Sequence, residues 1–266
     1  MRNLRAARDN WKKNHRHQGG LGALLRCFTG QRTLEARRPS GIKPTGPLEV
    51  LTFSVVPWLT ALWGRSLGQA LDGRSYRLLI GDASGGFRGP WRSQLEEAPV
   101  EVLPCLNHHH GEKLDLFFGK VCRGDLVLVC DDDVFWRSGN PLDWALERFR
   151  EEDSLAAISL APRPLVSSVL QGKLDEPMGS SCLVLRRSIW LREGLSFQMA
   201  PAPEPRRADW FYDTCDLAHL ELVDRGYGVR VAPPEIRSEL VPLEAISAWI
   251  LKAQKHPPAR LAEIAD

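Results

Sequence analysis

From residue 48 onward, short apolar runs alternate with stretches in which apolar residues recur every three or four positions, so strands and amphipathic helices are expected to alternate. The runs "VLTFSVV" (50–56), "YRLLI" (76–80), "VEVL" (100–103) and "LVLV" (126–129) predict the first four strands. Between them, "LTALWGRSLGQAL" (59–71) puts Leu59, Trp63, Leu67 and Ala70 on one helical face, and 112–122 does the same with Leu114, Phe117, Phe118 and Val121. Further on, Asn140 reads as an N-cap and Pro141 as the first residue of a helix, with Asp143 in its first turn. Strands are predicted over 155–160, 181–187 and 227–232, and helices over 213–225 and 243–254. The Pro-rich stretch 200–209 reads as an irregular loop suited to be a lid or to hold an acceptor.

Such alternation implies right-handed crossovers, a mostly parallel sheet flanked by helices, and a ligand crevice at the strands' carboxyl ends. The fold class expected is therefore α/β, Rossmann-like, with a more irregular second half. Residues 1–47 form a basic arm and linker, 48–137 a nucleotide-binding half, and 138–266 an acceptor-binding and catalytic half of the same domain.

The fourth strand carries the chemistry. Four apolar residues, Leu126 to Val129, and Cys130 deliver Asp131, Asp132 and Asp133 together at a strand end. Three carboxylates that close repel one another, so either one keeps a proton or the site takes a cation. Mg²⁺ and Mn²⁺ bind oxygen ligands of this type.

Composition changes the picture little. With 26% charged residues and a formal net charge of +2, nothing argues for nucleic-acid binding. The basic residues crowd into 1–44, a stretch suited to touch phosphates or the surface of an anionic membrane, although a solvated N-terminal extension is the plainer reading. Six cysteines without a CxxC pair point to a reducing, cytoplasmic setting. The longest apolar run contains Pro57 and is shorter than the ~20 residues of a membrane helix, so no span is expected.

Two enzyme classes share part of this pattern. A haloacid-dehalogenase-type phosphatase would use Asp131 as nucleophile and Asp133 as acid, but its motif normally follows the first strand rather than the fourth. A nucleotidyltransferase would carry a Gly-rich phosphate loop, and "VVPWLTALWG" is not one. Taken together, "LTFSVVPW", "LLIGDASGG", "HHHGEKLDLFFGKVCRGDLVLVCDDDV", "MGSSCLVLRRSIW" and "FYDTCDLAHLELVDRGYGVRVAPPE" resemble, in order and spacing, the nucleotide-sugar glycosyltransferases of the GT-A fold, from about residue 48 to 235.

The resemblance implies Asp131 and Asp133 as the Asp-x-Asp pair holding Mn²⁺ or Mg²⁺, with Asp132 beside the ribose or bracing its neighbours. It puts Asp82 and Ser84 near the base of a UDP- or GDP-sugar, and Lys113 near a phosphate. Gly179 and Ser180 would form a small-residue turn where sugar and acceptor approach the backbone. For the catalytic base, "YDTCDL" departs from the family's usual acidic pair. Asp213 and Asp216 both qualify, and Asp213 is preferred as the residue expected to open the helix. The implied reaction is inverting transfer of a hexosyl group to a carbohydrate, lipid-linked or small-molecule acceptor. A non-catalytic member that binds a sugar nucleotide or glycan is the alternative outside the enzymes. His108, His109 and His110 with Cys105 suggest a metal set, but consecutive residues of one loop rarely converge on one ion.

Overall fold

The computed structural model describes residues 20–43, 47–87, 89–95, 99–162, 170, 173–174, 176–201, 211–243, 246 and 250. Its centre is a seven-stranded sheet of order β10-β6-β7-β4-β1-β2-β3. The strands of the first half are β1 (Leu48–Ser54), β2 (Tyr76–Asp82), β3 (Val100–Pro104) and β4 (Leu126–Cys130), all mutually parallel. The second half adds β6 (Leu155–Ser159), β7 (Cys182–Arg186) and β10 (Gly228–Val231), of which β7 runs antiparallel to both its neighbours. The α/β class with a mostly parallel sheet is thus as the alternation implied.

Adjacent residues of each strand feed opposite layers. Val50, Leu78 and Leu128 pack on one side of the sheet, with Leu59, Trp63 and Leu67 of α2 (Pro57–Ala70) and Leu142, Ala145 and Phe149 of α5 (Asn140–Glu151). Leu51, Leu79 and Val127 pack on the other, with Leu114, Phe117 and Phe118 of α4 (His110–Lys120) and the buried face of α7 (Asp216–Asp224). A sheet covered on both faces needs apolar residues at every strand position, which is why these strands read as unbroken runs. The six cysteines are buried free thiols, five of them within these layers and Cys27 in a smaller cluster with Leu106.

The first helix, α1 (Gly20–Ala36), was not foreseen: residues 20–43 are docked rather than solvated. Ala23, Cys27, Gln31 and Leu34 share its buried face, and full burial of Leu34 alone contributes about 2 kcal/mol. Gly30 is the point of closest approach. A Cβ there would lie 2.1 Å from the Pro104 carbonyl oxygen, so only glycine lets the helix meet the end of β3. Farther along, Arg187 donates to the carbonyls of Ser40 and Phe118 at 2.8 and 2.7 Å, holding the segment after α1 against α4. The residues of the arm before Gly20 lie outside the described residues.

Other boundaries shift for local reasons. α2 begins at Pro57, not 59, because proline favours the first helical turn. The cap of α5 is Gly139, not Asn140, which is already helical. Gly139 lies where a Cβ would meet the Ala70 carbonyl oxygen at 2.4 Å, and the Ser138 hydroxyl accepts the Asn140 N–H instead. Two small antiparallel pairs escaped the periodicity: β5 (Val134–Trp136) with β11 (Leu240–Pro242), and β8 (Ala200–Pro201) with β9 (Phe211–Tyr212). The expected lid therefore starts and ends in a short ladder, while its middle, and most of the helix expected over 243–254, lies outside the described residues. Short helices α3 (Pro90–Ser93), α6 (Arg187–Arg192) and α8 (Pro234–Arg237) complete the described elements.

Candidate functional site

Strand order reverses between β1 and β4, since β2 and β3 extend to one side of β1 and β4 lies on the other. In an open α/β sheet a crevice forms at this switch point, outside the carboxyl ends of the strands. β1 ends there in Phe53 and Ser54, and β4 in Cys130 followed by the three aspartates.

The aspartates make a tight turn: Val134 N–H donates to the Asp131 carbonyl at 3.2 Å, and Asp131 N–H donates to Ser181 O at 2.8 Å. Each carboxyl is fixed differently. Asp132 is buried toward α2, where the Thr60 hydroxyl donates to its Oδ2 at 2.5 Å while lying 2.8 Å from the Ser54 hydroxyl. Burial pushes Asp132 up to about 7, with Asp133 adding to the rise, against the Thr60 hydrogen bond and Lys113, which lower it. Asp131 is half-buried, with 36% of its side chain exposed. Desolvation, then Asp133 and Asp132, raise it well above the carboxylate range, with Lys113 opposing. Burial and the neighbouring acids together disfavour full ionisation of Asp131 and Asp132, which leaves the turn deficient in positive charge.

Two groups of α4 answer them. Lys113 is buried, its ammonium 3.1 Å from Asn107 Oδ1 and 4.7 Å from the centre of the Phe53 ring. An exposed helix lysine would have shown neither contact. His110 presents Nε2 to Asp131 Oδ1 at 3.5 Å, beyond a good hydrogen bond; that nitrogen is sealed from solvent and has no hydrogen-bond partner among the described residues. Desolvation, then Lys113 and His109, lower His110 to about 3, so its ring is neutral. His108 instead faces Glu112 at 3.5 Å, and Cys105 is buried, so the consecutive histidines do not converge with it.

Asp82, at the end of β2, spends its carboxylate on its own loop. Oδ1 accepts from Ser84 N–H, Gly85 N–H and the Ser84 hydroxyl, and Oδ2 accepts from Phe87 N–H at 3.1 Å. Desolvation still leaves Asp82 raised against those bonds. Asp82 and Ser84 thus shape the 83–87 loop beside the start of α2, where Gly86 lies within reach of Pro57.

Across the crevice, Gly179 takes a left-handed φ of 61° and leads through Ser180 to Ser181, whose carbonyl holds Asp131. The acid pair of the second half differs from expectation in one respect. α7 begins at Asp216, so the helix-dipole argument belongs to Asp216, not Asp213. Asp216 is buried and its Oδ2 accepts Asp213 N–H at 2.9 Å, whereas Asp213 is half-buried and its Oδ1 accepts Thr214 N–H at 2.7 Å. Burial, then Asp216, Asp115, Asp131 and Asp213, push the Cys215 thiol up.

Sequence reasoning missed Thr60, Phe53, His110 as the inward member of its triplet, and His219. A hydroxyl on the inward face of an otherwise apolar helix was the available signal for Thr60. For a divalent ion the donor chemistry fits: hard oxygens from Asp131 and Asp133 at a charge-deficient crevice. Among the described residues no three His, Cys, Asp or Glu side chains make a ready-built cage. Mg²⁺-type ions are commonly held by one or two carboxylates, with water and substrate phosphates supplying the rest.

No protein-family model matches the chain, and no curated protein matches it. Among solved structures it is similar to a mannosyltransferase from Pyrobaculum calidifontis in complex with GDP-Man and Mn²⁺, at 13% identity and a TM-score of 0.49, over 87% of this chain and 66% of that one. It is similar also to glucosyl-3-phosphoglycerate synthase from Mycobacterium tuberculosis in complex with Mn²⁺, UDP and phosphoglyceric acid, at 14% identity and a TM-score of 0.46, over 81% of this chain and 74% of that one. A third is 4-diphosphocytidyl-2C-methyl-D-erythritol synthase from Anaerococcus prevotii, at 10% identity and a TM-score of 0.44, over 79% and 97%. The chain spans 66% of the mannosyltransferase's length. None of the described helices is long and apolar enough to cross a membrane.

Proposed function

We propose that the chain is a metal-dependent glycosyltransferase that moves a sugar from a nucleotide diphosphate donor, a UDP- or GDP-sugar, to an acceptor hydroxyl with inversion. One observation carries the reading: a triple-aspartate turn at the sheet's switch point, in which burial and the neighbouring acids raise Asp131 and Asp132 above the ordinary carboxylate range, feels the charge of a buried lysine, Lys113. A diphosphate with a divalent counterion satisfies both halves of that arrangement, because the ion meets the acids and the phosphate oxygens meet the ammonium.

Asp131 and Asp133 would hold Mn²⁺ or Mg²⁺, which when bound neutralises the diphosphate leaving group. Lys113 would contact a phosphate oxygen. Asp132, fixed by Thr60, would brace the turn or meet the ribose. Asp82 and Ser84 would offer the base a loop already shaped by their mutual hydrogen bonds. Gly179 and Ser180 would let sugar and acceptor come close to the backbone. Asp213, the less buried of its pair, would take the acceptor proton as the hydroxyl oxygen attacks the anomeric carbon, and Asp216 would hold the Asp213 backbone in place.

The test is a thermal-shift screen of nucleoside diphosphates and nucleotide sugars with and without Mn²⁺, followed by product analysis. Stabilisation by UDP or GDP only with metal, and release of a nucleoside diphosphate from the sugar nucleotide, is the expected result. Release of pyrophosphate from a nucleoside triphosphate would assign the crevice to nucleotidyl transfer instead. Donor binding without any turnover would make the chain a sugar-nucleotide-binding protein.

A further inference from the structure

His219 lies one turn into α7, three residues beyond Asp216, and is buried. Its Nδ1 accepts the Met178 N–H at 3.2 Å, so the ring proton sits on Nε2 and the ring is neutral. The same residue is held at its other backbone group, where the Ser159 hydroxyl at the end of β6 donates to the Met178 carbonyl at 2.5 Å. From Met178 the chain runs through Gly179 and Ser180 to Ser181, whose carbonyl accepts the Asp131 N–H at 2.8 Å. At the other end of the path, Asp216 opens α7 and holds the Asp213 backbone.

The geometry points to His219 as a positioning residue that fixes the distance between the acid pair of α7 and the aspartate turn of β4, acting through the Met178–Ser181 segment. This inference rests on the glycosyltransferase reading, since it treats Asp213 as the base and Asp131 as the donor end. The physical reason is that the two acids belong to separate elements, which this path joins through the Met178–Ser181 segment. Gly179, in its left-handed conformation, is the flexible joint of the connection. Pinning the peptide just before that joint by two side chains removes the freedom that glycine would otherwise introduce. Depression of the imidazole's basicity by burial keeps Nδ1 an acceptor.

Three variants test it. In His219→Asn the amide oxygen stands the same number of bonds from the backbone as Nδ1 and keeps the acceptor. In His219→Gln it is one bond too far, and in His219→Leu it is gone. With Mn²⁺ and either UDP-glucose or GDP-mannose, nucleoside diphosphate release by the Gln and Leu variants should fall about 100-fold in kcat, the penalty typical of a misplacement near 1 Å. The donor KM should hold, and Asn should restore most of the rate. Independently of turnover, amide hydrogen exchange should quicken at both Met178 and Asp131 in the Gln and Leu variants and stay slow in Asn.

Quickening at Met178 alone, or turnover in Gln equal to wild type, would overturn the inference. If the Leu variant does not fold, the contrast between Gln and Asn carries the test. If the wild type releases no nucleoside diphosphate from either donor while exchange at the two amides remains coupled, the glycosyltransferase reading fails and the linkage stands.

Discussion

Thr60 Oγ1 donates to Asp132 Oδ2 across 2.5 Å, joining the helix that follows the first strand to the acid turn that follows the fourth. Because Asp132 is buried, losing that donor leaves a carboxyl without its partner in a poorly solvated place. Thr60→Val is expected to cost about 1–3 kcal/mol of stability, and Thr60→Ser close to nothing, as read by thermal or urea unfolding. Equal stability of the Val variant and wild type would show that the bond contributes nothing.

Asp131→Asn and Asp133→Asn are expected to abolish metal-dependent stabilisation by UDP or GDP. At a ligand concentration of ~100 Kd, that stabilisation amounts to about 2.7 kcal/mol in the wild type, roughly 5–10 °C in melting temperature for a domain of this size. Retention of the full shift by both variants would separate the aspartate turn from metal binding.

Lys113→Met keeps much of the bulk over Phe53 while deleting the charge. Loss of one charged hydrogen bond, about 1.5–3 kcal/mol, should weaken nucleoside diphosphate binding by roughly 10- to 100-fold, with the unliganded protein near its original stability. Titration calorimetry with Mn²⁺ present measures the first, and thermal unfolding without ligand the second.

The His219 imidazole gives the fold a pH dependence of defined sign. Its basicity is lowered in the folded state, to about 4 from an ordinary 6.5, by burial. The unfolded chain therefore binds the proton first as pH falls. The contribution is complete above pH 6.5 and is lost progressively between 6.5 and 4, amounting to roughly 3 kcal/mol. The difference in unfolding free energy between wild type and His219→Asn, followed across that window, should track this loss. A constant difference would refute it.

Gly30→Ala places a methyl group 2.1 Å from the Pro104 carbonyl oxygen, and backbone cannot yield as a side-chain tip can. A loss of about 1–3 kcal/mol is expected, together with faster proteolysis within 20–36. Unchanged cleavage there would mean that α1 is held in some other way.

The parts of this molecule legible in sequence are those governed by local periodicity. The strands from β1 to β4 and the helices α2, α4 and α5 appear within a few residues of where their apolar patterns put them, because a sheet covered on both faces demands unbroken apolar runs. α1 was hidden by its basic surroundings: its buried face includes Gln31 and Cys27, and its docking depends on a glycine meeting a carbonyl far away in the chain. The start of α7 was misjudged because Cys215 adopts a left-handed φ of 72°, a conformation that no pattern of apolar positions encodes.

At the site the division follows the same physics. The sequence by itself determined that three acids emerge together at the end of a buried strand, since adjacency in the chain is adjacency in space. It also carried the types of residue available for donor and acceptor chemistry. Only the tertiary structure decided which side each acid faces, that Asp132 is claimed by Thr60 and that Lys113 is buried beside Phe53. The same holds for His110, rather than His108 or His109, turning toward Asp131. Those choices depend on contacts between elements 18 to 72 positions apart, the spans from Asp131 to Lys113 and from Asp132 to Thr60, and on burial, which sets the charge a carboxyl can hold. Neither is a property of any local stretch of chain.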